Sequence, residues 1–101
     1  MLVAFSVAPA VAADGTGSVS EAVAAAIRVV RESGLPNRTD SMFTTVEGEW
    51  DEVMAVVKGA VDAVAAASPR VSLVLKADIR PGFIGELDAK VARIEDLLAD
   101  G

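Results

Sequence analysis

The side chains of this sequence that could meet a small molecule are mostly oxygen-bearing. Histidine and cysteine are absent. Imidazole and thiolate chemistry are therefore unavailable, and zinc or copper sites of the usual kind lose their best ligands. No nucleophile–base pair can be assembled by the ordinary routes. What remains is a set of hydroxyls, carboxylates and a guanidinium: Ser6, Thr44, Asp78 and Arg80 on segments that read as strands, and Glu47 at the start of a helix. Ser18 and Ser20 open a helix, where free N–H groups can be capped or can hold an anion. Glu47 is the strongest polar candidate, because a carboxylate is a strong acceptor for a donor group on a ligand. It also reads as one of the acids that suit the start of a helix. Thr44 is equally an ordinary strand residue, and Asp78 and Arg80 can simply pair. A phosphate hydrolase would need an anion-cradling loop with an Arg and a positioned Asn. The sole Asn is Asn37, and Gly15–Ser18 carries no basic group. The spacing of Asp and Glu shows no cation-binding loop. These residues suit recognition, and a non-catalytic role is expected.

The elements that must position them follow from the pattern of apolar residues. Leu2 to Ala8 reads as a strand ending at Pro9. Ala10 to Gly17 is a connection. Ser18 and Glu21 have capping-box spacing, Val19, Val23, Ile27 and Val30 recur at helical period, and Gly34 is a natural stop. Leu35 to Asp40, restricted by Pro36, is a short edge strand or a turn. Ser41 to Val46 is a strand, with a hairpin turn near Arg38–Asp40. A second helix starts at Glu47-Gly48-Glu49 with Asp51 and Glu52 in its first turn. Trp50, Val53, Met54, Val57, Val61 and Val64 form its apolar face, and Ser68-Pro69 ends it. Arg70 to Arg80 alternates as the longest strand. Pro81-Gly82 turns the chain into a third helix, Glu86 to Asp100, striped by Leu87, Val91, Ile94 and Leu98, in which Glu86 can pair with Lys90.

The order is β-α-β-β-α-β-α, and the first six elements give an α+β fold: the ferredoxin-like βαββαβ antiparallel sheet with helices on one face, plus an extra C-terminal helix. Alternation places Val3, Phe5, Val7, Leu73, Leu75 and Ile79 under the helices. The uncovered face is expected to carry Leu2, Ala4, Ser6 and Ala8, then Met42, Thr44 and Val46, then Ser72, Val74, Lys76, Asp78 and Arg80. A face this apolar rarely stays in water, which predicts self-association. A pocket at its polar end would use Ser6, Thr44, Asp78 and Arg80. RNA binders of this topology stack bases on sheet aromatics, and none falls on this face. The third helix is expected at the sheet edge or against a partner.

The 101 residues suit one domain spanning 1–101. Hydrophobic residues make up 52% and aromatics 4%, so the core is built from small aliphatic side chains. A core of that kind gains from association with copies of itself. The net charge of −6 and the scattered basic residues argue against nucleic acid and against an anionic membrane. Residues 1–14 resemble a signal peptide in their A-x-A ending, but they lack a basic start and are broken by Ser6 and Pro9. A first strand and a cytoplasmic location are the expectation. No stretch is long enough to span a bilayer.

Several segments carry a family resemblance: Ser18–Ser20, Ser33–Leu35, Met42–Met54 (MFTTVEGEWDEVM) and Arg70–Arg80 (RVSLVLKADIR). Together they resemble the thiamine-binding protein family of ferredoxin-like domains over nearly the whole chain. The most specific element is the Met-x-Thr-x-x-Glu-Gly run, Met42 to Gly48. Phe43 stands where members often have Gly and is expected to point toward the helices. The resemblance implies a homotetramer, with a dimer as the simpler assembly, built from sheet-to-sheet and edge-to-edge contacts. It implies binding of thiamine, or of its hydroxymethylpyrimidine part, near subunit interfaces, with no other cofactor and no reaction. The candidate ligand-binding residues are Ser6, Ser20, Thr44, Glu47, Asp78 and Arg80. The alternative is a structural or regulatory oligomerisation module without a small ligand.

Overall fold

The computed structural model describes residues 1–10 and 19–99. The elements run β1 (Leu2–Pro9), α1 (Val19–Glu32), β2 (Asn37–Thr39), β3 (Thr44–Glu47), α2 (Trp50–Ala65), β4 (Val71–Asp78) and α3 (Glu86–Ala99). The strands form one antiparallel sheet in the order β2-β3-β1-β4. This is the ferredoxin-like βαββαβ arrangement with an added C-terminal helix, as the alternation of elements predicted. The Ser18–Glu21 capping box, the connection before it and the side chain of Val19 lie outside the described residues.

Val3, Phe5 and Val7 of β1 are buried under α1 and α2. α1 contributes Ala22, Ala26 and Val30 to this core, with Val23 and Ile27 half-buried. The inward stripe of α1 is thus displaced by one residue toward alanines, which let the helices approach closely. At Gly59 of α2 a Cβ would lie 2.9 Å from a Val29 methyl group, so any larger residue there would force Val29 to shift at the α1–α2 crossing. Gly34 adopts φ +77° just past α1, the left-handed conformation that ends a helix. In α2 the buried residues are Val53, Val56, Val57, Ala60 and Val64. Trp50, expected on the apolar face, is instead exposed.

The hairpin register differs from expectation, and the difference moves residues between faces. The turn lies at Asp40–Phe43: the Asp40 carboxylate accepts from the backbone N–H groups of Met42 (2.8 Å) and Phe43 (2.9 Å), and the Asp40 N–H donates to the Phe43 carbonyl. An aspartate that organises its own turn in this way is a recurrent turn device. β3 therefore begins at Thr44. Its register pairs Phe5 with Thr44, Val3 with Val46, Ala4 with Thr45 and Leu2 with Glu47. Directly opposed residues share a face, so Thr44 and Val46 lie on the helix side and are buried. The expectation that they line the open face is corrected, and Thr45 and Glu47 take those places. Met42 is an exposed turn residue rather than a strand residue. β4 ends at Asp78, so Ile79 and Arg80 leave the sheet, and Ile79 is exposed rather than under the helices.

The open face is not wholly open. α3 lies across its end, where Leu2, Glu47 and Asp78 sit side by side. Three polar ties hold it there: Glu47 to the α3 N-terminus, Lys90 to Asp78, and Arg38 to Asp88. Only the first turns of α3 are held. Val91, Ile94, Leu97 and Leu98 remain exposed, as does Val74 on β4.

Candidate functional site

Glu47 closes β3 and is buried, with 6% of its surface exposed. Its Oε2 accepts from the Glu86 N–H at 2.8 Å, and its Oε1 accepts from the Leu87 N–H at 3.3 Å. These are the first two N–H groups of α3, donors with no partner inside the helix. A carboxylate at that position also opposes the positive end of the helix dipole. Glu47 was expected to start α2 or to face a ligand. It does not start α2 but caps α3, from a strand some forty residues earlier in the chain. The start of α2 is capped by Glu49 and Glu52, whose side chains and backbone satisfy each other reciprocally.

Glu86 is itself buried and is held by the Arg93 guanidinium at 2.6 Å. That hydrogen bond keeps the Glu86 carboxyl below its ordinary value, and burial opposes it. The expected pairing of Glu86 with Lys90 does not form. Lys90 reaches Asp78 at 2.6 Å and lowers the Asp78 carboxyl in turn.

A cavity of about 380 Å³ opens beside the Glu47–Gly48 corner. Leu35, Phe83, Ile84 and Leu87 give it apolar walls. Glu47, Glu49, Glu52 and Asp88 supply its carboxylates. Gly48 brings the backbone close to Leu35 and Val53, where a Cβ would sit 3.3 Å and 3.1 Å from their methyl groups. Phe83 and Ile84 come from the β4–α3 loop and also border a neighbouring cavity of about 260 Å³, lined by Trp50 and Arg80. The Arg80 guanidinium lies 3.6 Å from the centroid of the Phe83 ring, a cation–π contact that fixes the ring between the two spaces.

The candidate residues separate into groups. Glu47, Asp78 and Arg80 meet around a crevice of about 10 Å³, room for one water at most. Ser6 and Thr44 meet elsewhere, along a cleft of about 240 Å³ between β1, the hairpin turn and α1. That cleft exists because β3 begins opposite Phe5, leaving β1, among the described residues, without a paired strand on that side from Ser6 onward. Phe43 lies on this cleft with Val23 and Ile27 of α1, the direction expected of it. The Thr44 hydroxyl is 3.2 Å from that of Thr39 and points to the helix side, so a role for Thr44 on the open face is corrected. Ser20 is exposed in the first turn of α1 and lines neither cavity nor cleft. Sequence reasoning did not select the other lining residues, among them Glu49, Glu52 and Asp88, nor Phe83 and Ile84 of the β4–α3 loop. The signal of the last two was available: two large apolar residues stranded in a Pro-Gly turn between a strand and a helix, where burial has no structural purpose.

The fold and the cavity define a small ferredoxin-like α+β domain with an apolar, carboxylate-bearing pocket and, among the described residues, no group of His, Cys, Asp or Glu able to hold a metal. The sequence profile of the thiamine-binding protein family matches residues 3–95, and the chain belongs to that family. It is 58% identical over 99 residues to a UPF0045 protein of Mycobacterium bovis, covering 97% of this chain and 94% of the relative. Among solved structures, it resembles a domain of unknown function, DUF77, from Bacillus cereus. That match has a TM-score of 0.78 and 36% identity, covering 89% of this chain and 85% of the other. It also resembles a protein from Thermotoga maritima provisionally assigned to thiamine biosynthesis/salvage, with a TM-score of 0.77 and 30% identity, covering 92% and 96%. No catalytic role accompanies the family name. Among the described residues, no helix is long and apolar enough to cross a membrane.

Proposed function

We propose that this protein binds thiamine, or its hydroxymethylpyrimidine part, without transforming it, in the cavity beside Glu47 and Gly48 and within a homo-oligomer. The observation that carries this reading is the cavity itself. Its volume of about 380 Å³ falls in the range of small-molecule sites. It lies on the Glu-Gly end of the motif that carries the family resemblance. Phe83, Ile84, Leu35 and Leu87 offer apolar surface to the faces of a flat ring. The carboxylates offer acceptors for an amino group and a counter-charge for a cationic ring. Glu47 keeps unused lone pairs on both oxygens while capping α3. A cytoplasmic location goes with the absence of cysteine, which leaves no sign of an oxidising compartment.

The homo-oligomer, a tetramer or a dimer, is supported by surfaces that a lone copy leaves wet. Val74 is 56% exposed on the open face, and Leu97 and Leu98 of α3 are more exposed still. Among the described residues β4 lies at the sheet edge with one side unpaired over its eight residues, a template for pairing with another strand. The same surfaces favour a second reading, an oligomerisation module that needs no ligand.

Calorimetry with thiamine and with hydroxymethylpyrimidine separates the two. The proposal expects saturable heat, loss of binding in Phe83→Ala, and retention in Phe43→Ala, which alters the other cleft. Absence of heat and of any thermal shift at millimolar ligand, with an intact oligomer, would leave the module as the reading. Loss of binding in Phe43→Ala alone would move the site to the Ser6–Thr44 cleft.

A further inference from the structure

We infer that the cavity beside Glu47 selects the free, positively charged form of its heterocyclic ligand and rejects phosphate esters of it. The inference rests on the reading that this cavity is the ligand site, and it adds the charge state of what enters. The described residues that line the cavity include four carboxylates, Glu47, Glu49, Glu52 and Asp88, and no lysine or arginine. The cations nearby already have partners. Arg38 pairs with Asp88, and the Met1 ammonium donates to the Gly48 carbonyl at 2.8 Å. Arg80 lines the neighbouring cavity and lies against the Phe83 ring, outside the lining of this one.

Counting Asp88 as neutralised by Arg38, Glu47, Glu49 and Glu52 face a single ammonium. The net charge of −6 over the chain adds to the same field. Phosphate sites look different: they present helix N–H groups, arginine or lysine. Here the nearest helix N-termini are already occupied. α3 is capped by Glu47, and α2 by Glu49 and Glu52. A phosphate ester would bring one to two negative charges against these carboxylates. Two unit charges about 6 Å apart at an effective dielectric near 20 interact by roughly 2.8 kcal/mol, about a hundredfold in affinity before salt screens it.

The test is titration calorimetry of the full chain with thiamine, thiamine monophosphate and thiamine diphosphate, at about 0.05 M and about 0.5 M salt, chosen to shorten the screening length several-fold. Glu52→Gln is run alongside. Glutamine retains the acceptor that a capping box needs, so this variant removes charge while keeping the start of α2. The expected result is binding of thiamine at low salt, at least tenfold weaker binding of the monophosphate, and weaker binding again of the diphosphate. The gap should narrow at high salt and in Glu52→Gln. Equal or tighter binding of either ester overturns the inference while leaving the site in place, as does a gap that responds to neither salt nor Glu52→Gln. Absence of binding by all three ligands to folded protein overturns the underlying reading as well.

Discussion

Replacing Glu47 should release α3 from the sheet without unfolding the rest of the domain. Its buried carboxylate accepts from the N–H groups of Glu86 at 2.8 Å and Leu87 at 3.3 Å. Losing a helix cap costs about 0.5–2 kcal/mol, and a hydrogen bond to a charged group contributes about 1.5–3 kcal/mol. The longer bond is weak by its distance, so Glu47→Ala is expected to cost about 2–3 kcal/mol, most of it local to α3. Glu47→Gln retains one acceptor and loses the charge, for about 1–1.5 kcal/mol on the same scales. The remaining ties, Lys90–Asp78 and Arg38–Asp88, are exposed ion pairs and cannot compensate. Amide hydrogen exchange reads this directly. With each 1.4 kcal/mol a factor of ten, exchange at Glu86, Leu87 and the first turn of α3 should speed by roughly thirty- to a hundredfold in Glu47→Ala. In Glu47→Gln the factor is about ten, and in both variants Val3, Phe5 and Val57 should stay protected. If the α3 amides exchange within twofold of the wild-type rate, the capping argument is wrong. If all amides speed up together, α3 is not a separable unit.

The attachment of α3, through Asp78, and the helix itself, through its internal Glu86–Arg93 pair, should also be acid-labile. Asp78 and Glu86 are held below their ordinary values of 3.8 and 4.5, chiefly by hydrogen bonds from Lys90 and Arg93. A carboxyl lowered in the folded state contributes stability above its ordinary value and loses it as pH falls through the lower folded value. Protection of α3 should therefore be flat above about pH 5 and decline below about pH 4, as followed by hydrogen exchange; a loss beginning near pH 6 would contradict it. Gly59→Ala gains up to about 1 kcal/mol of helix propensity but overpacks Val29, a cost of about 1–3 kcal/mol. Urea denaturation should show a net loss, and a more stable variant would show that the α1–α2 crossing yields easily. Thr44→Val should change stability by less than about 1 kcal/mol, because the shape is kept and the exposed Thr39 hydroxyl can turn to water. It should leave thiamine affinity unchanged, and a large loss of affinity would return Thr44 to the site. Val74→Asp should shift the protein to a smaller species in size-exclusion chromatography, and an unchanged elution would exclude the open face as an interface.

Local pattern determined most of the fold. The alternation in residues 2–8 and 70–80, the helical stripes and the Pro and Gly stops specified the order of the elements and left only β2 open between an edge strand and a turn, because each depends on neighbours close in the chain. The Met42–Gly48 run likewise pointed to the family before any tertiary contact was known. What sequence could not supply was register. A hairpin turn placed at Arg38–Asp40 puts Thr44 and Val46 on the open face. The actual turn at Asp40–Phe43 puts them under the helices and places Thr45 and Glu47 on the other face, where α3 buries Glu47, since side chains alternate with a period of two and the choice of register decides every face. The capping of α3 by Glu47 and the meeting of Phe83 with Glu49 and Glu52 around one cavity were equally invisible. They join segments some forty residues apart or fewer, and nothing in local propensity records a contact that only packing creates. The types of group at the candidate site were thus legible from the sequence, while their grouping, the partners of Glu47 and the walls of the cavity were decided by the tertiary structure.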